Sequence, residues 1–168
     1  MRRVQRAYTH LMFGVLGRLL AASSQHDWVV QRELEDLPNE FVFSMGLWPS
    51  CDLFELEKHE GGLRWLRPKE HRRPSLAIRF KHILLAFSVM SFQESTAASF
   101  TSDRIIADGD ITQALRIVRC LDRTMAVALP SFVARRMVKR MPSIGLGEKL
   151  RTAACIYAQM TWSLVVGR

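Results

Sequence analysis

The stretch Ala97-Ala-Ser-Phe-Thr-Ser-Asp-Arg-Ile-Ile-Ala-Asp-Gly-Asp-Ile-Thr-Gln-Ala-Leu115 decides how the chain is read. Ala97 to Phe100 suits one helical turn. Ile105 and Ile106 are β-branched and predict a short strand, stopped at Gly109. Asp110 then opens the clearest helix of the sequence. Its carboxylate can accept from a backbone N–H three residues on, and Gln113 can reach back, the spacing of a capping box with Asp in place of Ser or Thr. Ile111, Ala114, Leu115, Val118, Leu121 and Met125 recur at three- and four-residue steps and form one apolar face. Arg116, Arg119 and Arg123 fall largely off that face.

Upstream of this unit the period changes. Phe41 to Gly46 is short and rich in strand formers. From Asp52 to Glu57, Phe54 and Leu56 alternate with Glu55 and Glu57, as in a strand with one wet face. Gly61-Gly62 separates this run from Leu63–Leu66, which predicts an antiparallel hairpin. Arg67 to Pro74 is a basic loop by its prolines, and Ser75 to Phe80 alternates again. Between Lys81 and Phe92 the apolar residues thicken beyond ordinary strand length, which favours a short helix.

Both ends of the chain read as helical. Val4, Ala7, Tyr8, Leu11, Met12, Val15, Leu16, Leu19 and Leu20 have helical spacing, with Ser23–Asp27 expected to end the helix and Glu33–Asn39 to act as a connector. Residues 131–141 and 148–166 look helical around the break from Pro142 to Gly147. The expected organisation is an amphipathic N-terminal helix and connector over 1–39, a central domain over 40–125, and a basic helical extension over 126–168.

Composition bounds the possibilities. The chain has 168 residues, 48% of them hydrophobic and 24% charged, which suits one globular domain with extensions. No apolar run approaches the ~18 residues of a membrane span. The net charge is +8 and sits at the ends. Residues 1–26 hold Arg2, Arg3, Arg6 and Arg18 and no acid, and residues 131–168 hold seven basic residues against Glu148 alone. Between them, 27–130 is nearly balanced. Basic ends around a neutral middle predict an anionic partner that meets the ends. The basic, apolar start imitates a signal peptide, but His10 and Arg18 interrupt it and no cleavage site is convincing. Its Arg-rich, acid-free composition also fits an organelle transit peptide. The expected location is the cytoplasm, with peripheral attachment to a membrane.

Chemistry-bearing motifs are sparse. Cys51, Cys120 and Cys155 are odd in number and widely spaced, so buried free thiols are expected rather than disulfides or zinc. His10, His26, His59, His71 and His82 have no metal-ligand spacing. No nucleophile motif or Gly-rich phosphate loop occurs. No catalytic residue, metal or cofactor is therefore expected, although a triad assembled in space would escape this test. Arg135, Arg136, Lys139 and Arg140 share one face of the predicted 131–141 helix, with Phe132, Val133, Met137 and Met141 tending to the other. That pattern suits a helix lying among anionic headgroups, and equally a solvated face on a core-packed helix. Nucleic acid is disfavoured, since Trp65 and Tyr8 are too few for a stacking platform. The surplus of large apolar residues between Phe80 and Met125 has two outlets, a filled core or a cavity.

The order of these elements, and above all the 97–115 stretch with Gly109, Asp110 and Leu115, resembles the sterol carrier protein type two family of small lipid-binding domains. The resemblance covers about Glu40 to Leu121. It departs from the family at Ser102-Asp103, where a glycine usually precedes the short strand. It implies an α/β fold of the α+β type: a curved, mainly antiparallel five-stranded sheet covered by helices and enclosing an apolar tunnel. It implies noncatalytic binding of an acyl, sterol-like or isoprenoid lipid. Carried over by position, the tunnel-lining residues would be Phe80, Ile83, Leu84, Phe87, Phe100, Ile106, Ile111, Leu115 and Val118. Some bacterial relatives are accessory proteins of isoprenoid-quinone biosynthesis. The expected function is carriage or presentation of an apolar lipid at an anionic membrane. The alternative is an interaction subunit with a solid core and basic ends.

Overall fold

A computed structural model describes residues 2–49, 51–60, 62–66, 72–91, 105–128, 147, 151–158 and 161, the side chains of 2, 3 and 51 excepted. The elements run α1 (Arg2–His26), α2 (Trp28–Glu35), β1 (Val42–Leu47), β2 (Cys51–His59), β3 (Gly62–Trp65), β4 (Leu76–Phe80), α3 (Ile83–Met90), β5 (Ile105–Gly109) and α4 (Ile111–Ala128). Residues 151–158 are also helical. The strands form one five-stranded sheet in the order β3-β2-β1-β4-β5, open at β3 and β5. Every pairing is antiparallel except β1 with β4. The fold is therefore of the α+β type, with the five-stranded, mainly antiparallel sheet that the resemblance implies.

β1 is the middle of the sheet, and Val42 to Gly46 are buried on both faces. Phe43 and Met45 point to the helical side, where they meet Phe54, Leu56, Leu76, Ile78 and Phe80 in one core. On the other face the acids are paired. Glu57 is buried and accepts from Arg64 at 2.8 Å and Arg72 at 2.6 Å. The Arg64 hydrogen bond leads in holding the Glu57 carboxyl below its ordinary range; burial opposes it, and the charges of Arg72, Arg64 and His59 add to the lowering. Arg79 and Asp52 stand opposite Gly46 on its two neighbouring strands and form a two-pronged pair at 3.0 and 3.1 Å.

Phe13, Leu16 and Leu20 of α1, and Val30 and Leu34 of α2, join the same core. A second, smaller cluster ties Leu19 and Ala22 of α1 to Val127, Ala128 and Ile156. Tyr157 also donates to the Ala128 carbonyl at 2.6 Å.

Three local expectations have different outcomes. First, α1 ends, as expected, within the Ser23–Asp27 stretch, its last residue being His26. Ser24 lies inside it, donates back to the Ala21 carbonyl at 2.6 Å and accepts from the Leu63 N–H at 2.8 Å. Its hydroxyl is satisfied within the helix and pins α1 to β3, so it has no reason to break the helix. The stop comes at Asp27, whose carboxylate accepts from the Val29 N–H at 2.9 Å and caps α2. Second, the start of the expected connector, Glu33 to Glu35, is instead the end of α2. The repeat of Val30 and Leu34 is only one apolar step long, too short to stand out as a period. Third, Gly62 does not stand between the strands but opens β3, pairing with His59. Glu60, which follows His59, takes φ +46°, the positive value that a tight hairpin turn demands.

Gly17 sets how near α1 lies to the sheet. A Cβ there would stand 2.6 Å from Trp65 Cζ3 and 2.9 Å from Phe54 Cγ. Arg18 stacks over the same Trp65 ring at 4.8 Å. At Gly14, three residues earlier, a Cβ would meet only Arg18 Nη1 at 3.5 Å, an ordinary contact. The two glycines therefore give opposite predictions in urea denaturation. Gly14→Ala is expected to stabilise by up to about 1 kcal/mol through helix propensity. Gly17→Ala is expected to destabilise by about 1–3 kcal/mol, overpacking outweighing the same propensity gain.

Candidate functional site

The sheet, α1, α3 and α4 do not close completely on one another. Between them lies an apolar cavity of about 30 Å3. Leu16 of α1, Met45 of β1 and Ile78 and Phe80 of β4 form its inner wall. Val89 and Met90 of α3, Ile105 of β5, and Val118, Leu121, Asp122 and Met125 of α4 complete it. The inner wall is stiff: Phe80 packs edge-to-face on Phe13 at 5.7 Å, and Ile78 and Phe80 are fully buried. The outer wall includes Met90 and Met125, whose unbranched chains repack readily.

The helix period extends this wall. Ile111, Leu115, Val118, Asp122 and Met125 recur at three- and four-residue steps on one side of α4. Val118, Asp122 and Met125 line the cavity, while Leu115 and Ile111, further along the stripe, are 54% and 77% exposed. An apolar track thus leads from the cavity to the surface. The opposite side of α4 is held by charge. Arg123 donates to buried Asp27 at 2.7 Å, Arg116 pairs with Asp36 at 2.8 Å, and Arg119 reaches Glu33 at 3.4 Å. These pairs lock α4 to α2 and fix which side of α4 faces the cavity.

The nine residues expected to line a tunnel fall into four groups. Phe80 and Val118 do line the cavity. Ile83, Phe87 and Ile106 are half-buried but outside the lining, and Phe87 packs edge-to-face on Tyr8 of α1 at 5.4 Å. Leu84, Ile111 and Leu115 are exposed. Phe100 lies outside the described residues, as do Arg135, Arg136, Lys139 and Arg140. Ile106 misses the cavity because strand side chains alternate: Ile105 faces the helices, so Ile106 faces away, next to Arg79. The other nine lining residues, Leu16, Met45, Ile78, Val89, Met90, Ile105, Leu121, Asp122 and Met125, were not among those expected. The apolar periods on α1 and α4 point to inward positions for Leu16, Leu121 and Met125, but nothing in the sequence marks Asp122.

Asp122 is the polar exception in the lining. Burial alone acts on its carboxyl and pushes its pKa up from the ordinary range. Cys120, two residues earlier and on the other, buried side of α4, is an unreactive thiol, pushed up to about 12, chiefly by burial. Cys155 is exposed, which corrects the expectation that the thiols are buried. Among the described residues, no three His, Cys, Asp or Glu side chains are grouped to hold a metal ion, and no helix is long and apolar enough to cross a membrane.

A carboxyl whose folded pKa is raised is penalised in its charged form. The penalty is absent below the unfolded pKa and grows as pH rises through the folded value. Asp122→Asn is therefore expected to stabilise the protein at neutral pH and to lose that advantage below about pH 4. Urea denaturation of both proteins across that range measures it, and an advantage constant with pH would remove the desolvation account.

No known protein family matches the chain, and no curated protein matches it either.

Proposed function

We propose that the protein binds an apolar lipid, acyl, sterol-like or isoprenoid, and carries or presents it without transforming it. The observation that carries this reading is the apolar cavity joined to the exposed Leu115–Ile111 track. A cavity of about 30 Å3 has room for one or two water molecules. An acyl chain enters only if Met90 and Met125 swing aside, or if part of the chain lies along the track. Both moves remove apolar surface from water at about 25 cal/mol per Å2.

Delivery would take place at an anionic membrane. α1 supports this part. Val4 and Leu11 stand on one side of it, 73% and 62% exposed, with Arg6 exposed nearby. Apolar side chains beside arginine suit the headgroup layer. The basic residues 135–140 would add to the attraction.

The second reading is an interaction subunit, of a lipid or quinone biosynthesis assembly for example, whose basic ends meet an acidic partner. The small volume of the cavity favours it.

Solvent extraction of the purified chain and titration with a fluorescent apolar lipid separate the two. The lipid reading expects co-extracted lipid and saturable binding, with Val118→Trp, which fills the cavity wall, weakening binding about tenfold or more. A chain that brings no lipid and binds none saturably is the interaction subunit. Sedimentation with vesicles checks docking: binding to anionic vesicles at low salt is expected, with loss at high salt and none to neutral vesicles.

A further inference from the structure

A carboxyl is out of place in the wall of a greasy hollow, and Asp122 is such a group. Val118 and Met125 flank it one turn to either side, and both line the same cavity. The arginines of α4 do not serve it: Arg116, Arg119 and Arg123 are turned to α2 and engaged with Glu33, Asp36 and Asp27. Among the described residues, no hydrogen bond or neighbouring charge acts on the Asp122 carboxyl. Asp122 is half-buried, and the part of a polar group that is shielded from water is costly until something hydrogen-bonds it. Core packing alone would be better served by an apolar residue at that position.

We infer, building on the lipid-binding reading above, that Asp122 selects the polar end of the ligand: it accepts an apolar chain ending in an uncharged hydroxyl and rejects the same chain ending in a carboxylate. A hydroxyl donates to the ionised carboxylate, which an ether oxygen cannot do. A ligand carboxylate meets a second acid in a water-poor site, where two like charges cannot both persist. One of them must take up a proton, or the ligand stays out. The repulsion is stronger there than in water. An apolar end with no donor leaves the Asp122 oxygens unmet.

The test uses the full chain at neutral pH and three probes with one tail: a pyrene-labelled dodecanol, the matching dodecanoic acid and the matching methyl ether. The alcohol is expected to bind about tenfold or more tightly than the acid, and several-fold more tightly than the ether, which cannot donate. In Asp122→Asn the acid is expected to gain about tenfold while the alcohol changes little, since the amide oxygen still accepts. Unchanged affinity for the alcohol also reports an intact cavity. Equal binding of acid and alcohol by the unaltered chain overturns the selection while leaving lipid binding in place. So does a preference that survives in Asp122→Asn. An ether that binds as well as the alcohol overturns it without any variant. Binding of none of the three probes overturns the lipid reading itself.

Discussion

A helix can rest on the rings of Phe54 and Trp65 only where it carries no side chain, and α1 does so at Gly17. That contact sets the depth of the molecule. With α1 drawn close to β2 and β3 at Gly17, Phe13 reaches the rings of both Phe54 and Phe80, and Leu16 reaches the cavity wall. The pin from Ser24 to Leu63 holds the far end of the same helix. α1 is therefore held tightly over β2 and β3 and more loosely over β4 and β5. The unfilled volume lies on the looser side.

The elements that read most clearly in the sequence are those with a long, single-signal pattern. The alternation of Phe54 and Leu56 with Glu55 and Glu57 became β2, with the first pair in the core and Glu57 ion-paired on the opposite face. The Gly109–Asp110 step became a strand end and a helix cap. Asp110 accepts from the N–H groups of Thr112 and Gln113 at 2.8 and 3.0 Å. Gly109 takes φ +140°, with the Ser75 carbonyl where a side chain would stand. α2 escaped because two buried residues do not make a period, while α1 ends at His26, inside the expected Ser23–Asp27 stretch, Ser24 staying helical because its hydroxyl bonds the Ala21 carbonyl.

The candidate site was legible only in part, for a related reason. Apolar periodicity says that a residue faces inward. It does not say whether inward means a packed neighbour or a space. Phe80 and Val118 were placed on the right side of their elements, and so were Ile111 and Leu115. The latter pair, at the start of α4, are exposed, and where along a helix its cover stops is written in no local pattern. Asp122 is the reverse case. On a helix full of charge it looks like one more solvated acid, and only its place among Val118, Leu121 and Met125 distinguishes it. The ion pairs of Arg116, Arg119 and Arg123 with α2 turn α4 so that this acid faces the cavity.

The strand order carries one more consequence. β1 takes β2 on one side and β4 on the other, yet β4 follows β3 in the chain. A chain emerging from the ribosome completes the β1–β2–β3 meander while the other edge of β1 is still bare. Until residues 76–80 are made, the most apolar strand of the protein offers a row of open amides and carbonyls to any passing strand. Such an edge is where a nascent chain meets its neighbours first. α1, already synthesised, can shield the face of that strand but not its rim, so the interval between residues 47 and 80 is the exposed moment in the birth of this fold.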